Sequence, residues 1–564
     1  MVSALHTRAI WVTHTNPSAD AASGHERRRD GLSIALAWIA IAIILRPFQD
    51  TPFVDDWVYA WPVEQLFLGR PIKVIDYSTN LNLVQAGWGA LFCLPAGFSF
   101  TALRLSTWTA ALLCLWALYW LLREVHVSRR DALLGVATLA VNPIFFVLSI
   151  SFMTDIPFLA CTTAAMFAFV RAVSRERATW LWAATFLAAL SVGIRLTGVA
   201  LPIAMSLTLV LRRASWGRDR LRFLVPLAAF VFMAGLVVWH QTHIEVIADL
   251  SGVENSPENR LRSLVRYAVP FLPLALISTL PFASGTVGLT LLPLTSAQWN
   301  VPRLPVTVVV SAGVLACVAM TQDTRLSYSP PLTYASTWAL GELGATESLV
   351  PNAVPVVPPW LPWSIAPLAL VSGAVVMSAV WQRSHTPASV FLAWVAVGNL
   401  LLIATLWFFH DRYSLPLVPV VIALFLSAAP IRRPRWAIAV IVLLGCWSLV
   451  GVRDHLSYNA AVWRAVDDLR RGGVPVSEID GGYVVNGWLQ YAHPDQAARD
   501  VNGNVMVPWI NEGGTLRYQI SNSPVVGRRI IATVPYSRWL GRSGALYVLE
   551  AGQRERRGLP VSRP

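Results

Sequence analysis

Charged residues are scarce in this chain: they make up 13% of its 564 residues, whereas 55% are hydrophobic. The mean hydropathy is +0.54. A soluble protein of this length could not remove so much apolar surface from water, so the composition excludes a soluble globular protein. The apolar residues form long runs, which predict an integral membrane protein. The 25 tryptophans fit this class, because the indole ring favours the level of the lipid headgroups.

Cysteine is scarce as well. All five cysteines lie in apolar runs, and none forms a C-x-x-C pair: Cys93, Cys114, Cys161, Cys317 and Cys446. The pattern excludes a C-x-x-C redox or zinc motif and predicts small, buried apolar side chains. The polar segment after residue 453 has no cysteine, so its fold does not depend on disulfides.

Acidic residues are fewer than basic ones, 31 against 44, which gives a net charge of +13. No basic patch alternates with exposed aromatic residues, which argues against nucleic-acid binding. The arginines instead form short clusters between apolar runs, as topology signals do. No small-residue cleavage site follows the first run, 32–46, which predicts an uncleaved first span after a cytoplasmic tail of residues 1–31.

The alternation of arginine-rich and arginine-poor loops predicts a mainly α-helical, polytopic transmembrane protein with about thirteen spans within residues 32–452. The spans are expected at 32–46, 103–122, 131–150, 156–173, 179–194, 197–211, 223–240, 267–284, 304–321, 363–381, 387–408, 413–430 and 436–452. The apolar stretch 83–98 is interrupted by glycine and proline, and we expect it to lie on the outer surface as an interfacial helix. Every strong arginine cluster then falls on the cytoplasmic side.

Three regions share the outer face in this topology: the first outer loop 47–102, the proline-rich loop 322–362 and the C-terminal segment 453–564. Loop 322–362 is long enough to be a lid over a site or an ordinary tether. The C-terminal segment is expected to form a small extracytoplasmic α/β or α+β domain with a short helix near 461–469. Its strands are expected at 529–534 and 545–549.

Two adjacent carboxylates, Asp55 and Asp56, follow the first apolar run in Phe53-Val54-Asp55-Asp56-Trp57-Val58-Tyr59. Repulsion between adjacent carboxylates can raise the pKa of one member, which then suits a general base. The same oxygens suit a divalent cation such as Mg²⁺ or Mn²⁺. A solvated loop with an aspartate at a helix N-cap is the alternative interpretation.

Other polar side chains fall at the predicted outer face. Asp155 begins a span two residues before a proline, which is also typical of a helix N-cap. Arg195 lies at a span boundary, where it either binds a phosphate or extends to the interface. His410, Arg412 and Tyr413 lie between two apolar runs and fit either phosphate binding or a polar turn.

Together these residues suit group transfer from a lipid-linked phosphate donor. The acids would activate an acceptor, the cations would stabilise a departing phosphate, and apolar walls would hold a lipid chain. A sugar on polyprenyl phosphate fits this description outside the cytoplasm, where nucleotide sugars are absent.

Four motifs carry a resemblance to a known family: Phe53 to Tyr59, Gly69-Arg70-Pro71, Thr154-Asp155, and Arg412-Tyr413 with Pro416 and Pro419. Over most of its first 430 residues the chain resembles the GT-C superfamily of membrane glycosyltransferases. It is similar there to bacterial aminoarabinose transferases and protein O-mannosyltransferases.

The resemblance implies an inverting transfer of a sugar from polyprenyl phosphate to an envelope lipid, glycan or protein. The reaction would occur at the non-cytoplasmic face of the inner membrane. Asp55 would match the catalytic carboxylate, Asp56 its acidic neighbour, and Asp155 the acid of the second outer loop. Arg195 stands where such enzymes often carry lysine. The donor phosphate, aided by a divalent cation if one binds, would contact Arg195, Arg412, Tyr413, Lys73 and His410.

Two other functions remain open from the sequence. A transporter or flippase of a lipid-linked substrate also needs many spans, but no inverted repeat or pair of broken spans is evident. A non-catalytic scaffold of an envelope-assembly complex would use the C-terminal segment for binding. The sequence leaves the sugar, the acceptor, the metal dependence and the oligomeric state open.

Overall fold

The computed structural model describes fourteen stretches of the chain: residues 17–71, 74–75, 82–211, 224–243, 246–247, 287–297, 371–373, 375–376, 379–380, 386–404, 411–499, 505–507, 516–539 and 543–551. The chain divides into two compact units, Met1–Arg46 and Pro47–Pro564. The first unit contains helix α1 (Pro17–Leu45), which includes most of the first predicted span.

The second unit is mainly α-helical. Its helices are α2 (Asp56–Phe67), α3 (Leu83–Cys93), α4 (Phe100–Glu124), α5 (Arg129–Ala140), α6 (Pro143–Leu148), α7 (Asp155–Arg175), α8 (Ala178–Ile194), α9 (Ala200–Leu211), α10 (Leu224–His243), α11 (Val287–Ser296), α12 (Pro387–Ala404), α13 (Leu417–Ala428), α14 (Pro434–Arg471) and α15 (Tyr483–Asn486). Short 3-10 turns occupy Leu196–Val199, Asp411–Ser414 and Val476–Glu478, and a π-helical turn occupies Gly487–Tyr491.

Four of the described helices, α4, α7, α12 and α14, are long and apolar enough to cross a membrane. Several shorter apolar helices, including α8, α9 and α13, coincide with other predicted spans. The predicted spans 267–284 and 304–321 and the predicted loop 322–362 lie outside the described residues. The count of about thirteen spans therefore stays a prediction.

Helix α7 lies at the centre of the helical body, packed against α4 on one side and α8 on the other. The small residues Ala165, Ala168 and Ala172 of α7 are buried. Small side chains let neighbouring helices approach closely, which is the usual basis of helix packing in a membrane. Because Asp155 is the first residue of α7, this packing fixes the position of its carboxylate.

The prediction of one span over 131–150 is wrong, because this segment forms two short helices, α5 and α6. The break falls at Asn142-Pro143. Proline disfavours a helical conformation in the residue before it and lacks a backbone N–H. The Asn142 side chain accepts a hydrogen bond from the Phe145 N–H at 2.8 Å and so begins a new helix.

The predicted last span, 436–452, and the predicted short helix near 461–469 are one continuous helix, α14. No proline occurs between Pro434 and Pro475 to interrupt it. As predicted, Ala461, Val462, Ala465 and Val466 form a buried face.

The C-terminal segment contains a four-stranded sheet in the order β3-β6-β8-β7. Its strands are β3 (Ile479–Asp480), β6 (Tyr518–Ser521), β7 (Arg528–Tyr536) and β8 (Gly544–Ala551). Strands β6 and β7 both pair antiparallel with β8, in register Ile520↔Val548 and Thr533↔Tyr547, whereas β3 is parallel to β6. The predicted strands at 529–534 and 545–549 fall within β7 and β8. Two smaller pairs join β1 (Val74–Ile75) to β2 (Val246–Ile247) and β4 (Ala498–Arg499) to β5 (Val505–Met506).

The C-terminal segment packs directly on α2. A Cβ atom on Gly487 would lie 2.3 Å from the indole ring of Trp57, so only glycine fits there without movement. The rings of Tyr483 and Tyr491 meet the same indole edge-on, each at 5.8 Å. Helix α2 begins at the acidic pair, so its contact with the C-terminal segment helps to fix the position of that pair.

Candidate active site

A strained turn precedes the two adjacent aspartates. Val54 is buried and has φ 58°, a left-handed conformation that is rare for a β-branched residue. Such conformations cost about 1–3 kcal/mol and cluster at functional sites. The Phe53 N–H donates to Asp56 Oδ1 at 2.7 Å, and the Asp56 N–H donates to the Phe53 carbonyl at 3.2 Å. These two bonds close the turn that leads into α2.

Asp56 forms a fully buried ion pair with Arg104 of α4. The Arg104 Nη2 atom lies 3.6 Å from Asp56 Oδ2, and neither side chain is exposed. The same guanidinium donates to the carbonyl oxygens of Gln49 and Thr51. Asp56 and Arg104 therefore tie the loop before α2 to α4, and an acceptor substrate cannot reach the Asp56 carboxylate in this arrangement.

Asp55 lies in a different environment, against Arg412. Its Oδ2 atom is 3.3 Å from Nη2 and 3.4 Å from Nη1 of Arg412. The Asp55 side chain is 24% exposed, whereas that of Arg412 is 8% exposed. Arg412 also contacts the sulfur of Met153 at 3.5 Å. Of the two adjacent carboxylates, Asp55 is thus the one that a substrate can reach.

The two carboxylates do not fit a shared metal site in this structure, because each faces its own arginine. Within the described stretches, no group of three or more histidine, cysteine, aspartate or glutamate side chains could hold a metal ion. The geometry of Asp55 and Asp56 therefore does not support the predicted Mg²⁺ or Mn²⁺ role.

A second ion pair joins Asp155 to Arg195, with 2.7 Å between Asp155 Oδ1 and Arg195 Nη1. The ring of Tyr413 connects the two pairs. Its centroid lies 5.7 Å from the Arg195 guanidinium carbon and 5.6 Å from that of Arg412. Aromatic faces attract cations at such distances. The structure thus brings together five residues from four separate parts of the sequence.

Tyr59 is a site residue that the sequence interpretation missed. It lies one helical turn after Asp55 in α2, and residues four apart share a helix face. Burial raises the pKa of the Tyr59 hydroxyl, and the charges that act on it are those of Arg412, Arg195, Asp55 and Asp155. The charges of all four side chains therefore act on this hydroxyl group. The i, i+4 spacing from Asp55 was the signal available in the sequence.

A small cavity of about 10 Å³, with room for about one water molecule, lies near Arg195. It is lined by residues of α7, α9, α12 and the turn after Arg195, among them Phe158, Met166, Thr197, Leu201 and Pro416. The Arg195 guanidinium carbon lies 6.0 Å from the Phe158 ring centroid. Positive charge and an apolar surface are therefore adjacent.

Helix α14 supports the loop before the acidic pair, a contact that no sequence pattern predicts. The side chains of Asn459 and Trp463 both donate to the Pro52 carbonyl, at 3.0 and 3.1 Å. Gln49 donates to the Leu456 carbonyl at 3.3 Å. Two predicted phosphate contacts, Lys73 and His410, lie outside the described residues.

We expect the stability of this protein to fall as the pH rises from 5 to 8. Burial, partly offset by Arg104 and the Phe53 hydrogen bond, raises the pKa of Asp56 from its ordinary 3.8 to about 7. The folded chain thus holds this proton more tightly than the unfolded chain. The associated stabilisation is complete below pH 3.8 and is lost as the pH rises through about 7. Thermal unfolding in detergent measures the effect.

Asp56→Asn should flatten this pH dependence, because asparagine has no proton to lose. The matched control is Asp468→Asn, at an exposed carboxylate, which should keep the wild-type slope. An equally steep decline in Asp56→Asn would show that another group causes it.

One part of the chain matches a known protein family. Residues 84–239 match the family model for dolichyl-phosphate-mannose-protein mannosyltransferases. Comparison with curated proteins gives no match.

Solved structures of two membrane glycosyltransferases resemble the chain at low identity. ArnT from Cupriavidus metallidurans, bound to undecaprenyl phosphate, is 13% identical over 94% of this chain and 99% of its own, with a TM-score of 0.38. The oligosaccharyltransferase AglB from Archaeoglobus fulgidus, in complex with an inhibitory peptide and a dolichol-phosphate, is 12% identical over 87% of this chain and 69% of its own, with a TM-score of 0.41. These low scores do not support the transfer of residue roles.

The matched residues, 84–239, make up less than a third of the chain, and the match agrees with the predicted resemblance to the GT-C superfamily.

Proposed function

We propose that this protein transfers a sugar from a polyprenyl-phosphate donor to a hydroxyl group of an envelope lipid, glycan or protein, with inversion at the anomeric carbon. The observation that carries the proposal is the convergence of Asp55, Arg412, Tyr413, Arg195 and Asp155 in one site. The match to a family named for a polyprenyl-phosphate sugar donor supports it.

Asp55 is the general base of the proposed reaction. Its carboxylate accepts the proton of the acceptor hydroxyl while that oxygen forms a bond to the anomeric carbon. The bond between this carbon and the phosphate oxygen breaks in the same step, and polyprenyl phosphate leaves. One displacement inverts the configuration. Asp155 is engaged at 2.7 Å by Arg195, which suits an orienting role better than that of a second nucleophile.

Arg412 and Arg195 stabilise the negative charge that grows on the departing phosphate. Guanidinium groups suit phosphate oxygens because they donate two parallel hydrogen bonds. Both arginines are largely removed from water, with 8% and 11% of their side chains exposed. Burial strengthens their electrostatic effect on the transition state.

The phosphate-proximal part of the polyprenyl chain is proposed to pack against the apolar side chains next to Arg195, such as Phe158. The Arg195 guanidinium carbon lies 6.0 Å from the Phe158 ring centroid, so a lipid packed there would present its phosphate to this guanidinium group. We further propose that the site and the C-terminal segment lie at the non-cytoplasmic face of the inner membrane. The positions of the arginine clusters in the sequence support this orientation.

The proposal is tested by incubating the purified full-length protein with tritiated mannose on polyprenyl phosphate and an envelope extract. We expect label to move from the lipid to an acceptor. We expect Arg412→Gln to raise the apparent KM for the donor by about 10- to 100-fold, because hydrogen bonds to charged groups contribute about 1.5–3 kcal/mol.

Arg471→Gln is the matched control, since this arginine is 75% exposed and lies at the far end of α14. It should leave the KM unchanged. A wild-type KM in Arg412→Gln would remove this residue from the donor site. Movement of the intact donor across vesicle membranes, without transfer of label, would instead support a flippase.

A further inference from the structure

Two arginine clusters that are about 300 positions apart in the sequence meet at one end of the helical body. The first is Arg129-Arg130 at the start of α5, and the second surrounds the loop between α13 and α14. Arg130 Nη2 donates to the Ile431 carbonyl at 2.8 Å. The Ile431 N–H donates to Asp131 Oδ2 at 3.3 Å, and Asp131 Oδ1 accepts from Arg130 Nε at 3.0 Å.

In the described part of the chain, the carboxylate in contact with this surface is that of Asp131, and both of its oxygens are engaged by the bonds just described. Arg432, Arg433 and Arg435 are exposed, and none of their guanidinium groups has a hydrogen bond or ion pair to another described residue. We call Arg129, Arg130, Arg432, Arg433 and Arg435 together the arginine surface.

The opposite end of α14 shows a different arrangement. There Arg470 lies 4.0 Å from Asp467, and Arg471 lies 2.7 Å from Asp468. Each of these arginines has a carboxylate partner three residues earlier in its own helix. The same helix thus has compensated arginines at its C-terminal end and uncompensated arginines at its N-terminal end.

An exposed apolar stripe on α14 begins directly beside the arginine surface. Trp436 and Leu443, which are seven residues apart and therefore share one face of the helix, are 60% and 66% exposed. Helix α14 is also one of the helices long and apolar enough to cross a membrane. Positive charge next to an apolar stripe matches a phospholipid, which has an anionic headgroup above two acyl chains.

We propose that the arginine surface binds the headgroup of an anionic phospholipid, with the acyl chains packed along the α14 stripe. Guanidinium groups donate hydrogen bonds to the phosphodiester oxygens. Basic surfaces between membrane helices recognise such headgroups, and each arginine near the membrane contributes about fivefold in affinity. The site is separate from the proposed sugar-transfer site, so its occupancy does not depend on that reaction.

Native mass spectrometry of the full-length protein, titrated with phosphatidylglycerol or phosphatidylcholine, tests the proposal. We expect phosphatidylglycerol to remain bound at concentrations where phosphatidylcholine does not. Arg432→Gln with Arg433→Gln should weaken phosphatidylglycerol binding by about 30-fold, because two charges are lost. The charge-preserving pair Arg432→Lys and Arg433→Lys should retain most of the affinity.

The double substitution Arg470→Gln with Arg471→Gln removes the same charge from the other end of α14 and should leave binding unchanged. Equal losses in the two glutamine variants would overturn the proposal, since net charge alone would then explain binding. So would equal affinity for the two lipids, or wild-type affinity in the Arg432→Gln and Arg433→Gln variant.

Discussion

Asp55→Asn is expected to slow sugar transfer by roughly 10²–10⁴-fold, the usual contribution of a general base. This corresponds to about 3–5 kcal/mol of lost transition-state stabilisation. Asparagine keeps the shape of the side chain and its contact with Arg412 but cannot accept the proton of the acceptor hydroxyl. The donor should still bind, because the arginines that contact its phosphate are unchanged.

The measurement is the kcat for transfer of tritiated mannose from polyprenyl phosphate, with the KM for the donor determined alongside. Asp468→Asn makes the same chemical change at an exposed position and should behave as wild type. Near-normal turnover in Asp55→Asn would remove Asp55 from the role of base. Two results together would favour a non-catalytic scaffold. The wild type would transfer no label, and deletion of the C-terminal segment would abolish the protein's role in the cell.

Arg104→Met is expected to destabilise the protein by about 3–5 kcal/mol, the usual cost of removing one partner from a buried ion pair. The change leaves the Asp56 carboxylate and the carbonyl oxygens of Gln49 and Thr51 buried without their common donor. The loss should be larger at pH 8 than at pH 6, because burial raises the pKa of Asp56 to about 7 and the carboxyl group is neutralised more readily at the lower pH.

Thermal unfolding in detergent at both pH values measures this loss. Combining Arg104→Met with Asp56→Asn should recover part of the stability, because no uncompensated charge then remains buried. Arg464→Met, at an exposed arginine of α14, is the matched control and should shift the midpoint little. A small, pH-independent loss in Arg104→Met would mean that the pair is not the connection between the loop and α4.

Asp55 and Asp56 differ in burial and in arginine partner, and the sequence alone does not predict this difference. In the sequence, both residues are equally good candidates for a catalytic or metal-binding carboxylate. The structure separates them, since the turn at Val54 leads Asp56 toward Arg104 inside the protein while Asp55 stays partly exposed against Arg412. An Asp-Asp dipeptide contains no information about which neighbour each carboxylate meets, because those neighbours lie about 50 and 360 residues away.

A local sequence signal predicts the break between α5 and α6, although the prediction of one span over 131–150 did not take it into account. Asn142-Pro143 is typical of the start of a helix. The signal is lost when hydropathy is averaged over about twenty residues, because the apolar neighbours dominate the average. No local signal predicts the hydrogen bonds from α14 to the Pro52 carbonyl. Asn459 and Trp463 stand in an ordinary helical pattern, and only the packed chain shows what their polar atoms contact.

The sequence by itself determined that this is a helical membrane protein, that its acidic and basic motifs resemble those of GT-C glycosyltransferases, and where most of its described helices and its longer strands lie. These properties follow from local composition and from short motifs. Only the tertiary structure decided which carboxylate is accessible, that the charges of four side chains act on Tyr59, and that two distant arginine clusters form one surface. Contacts and burial between distant segments depend on how the helices pack, and no local pattern specifies that packing.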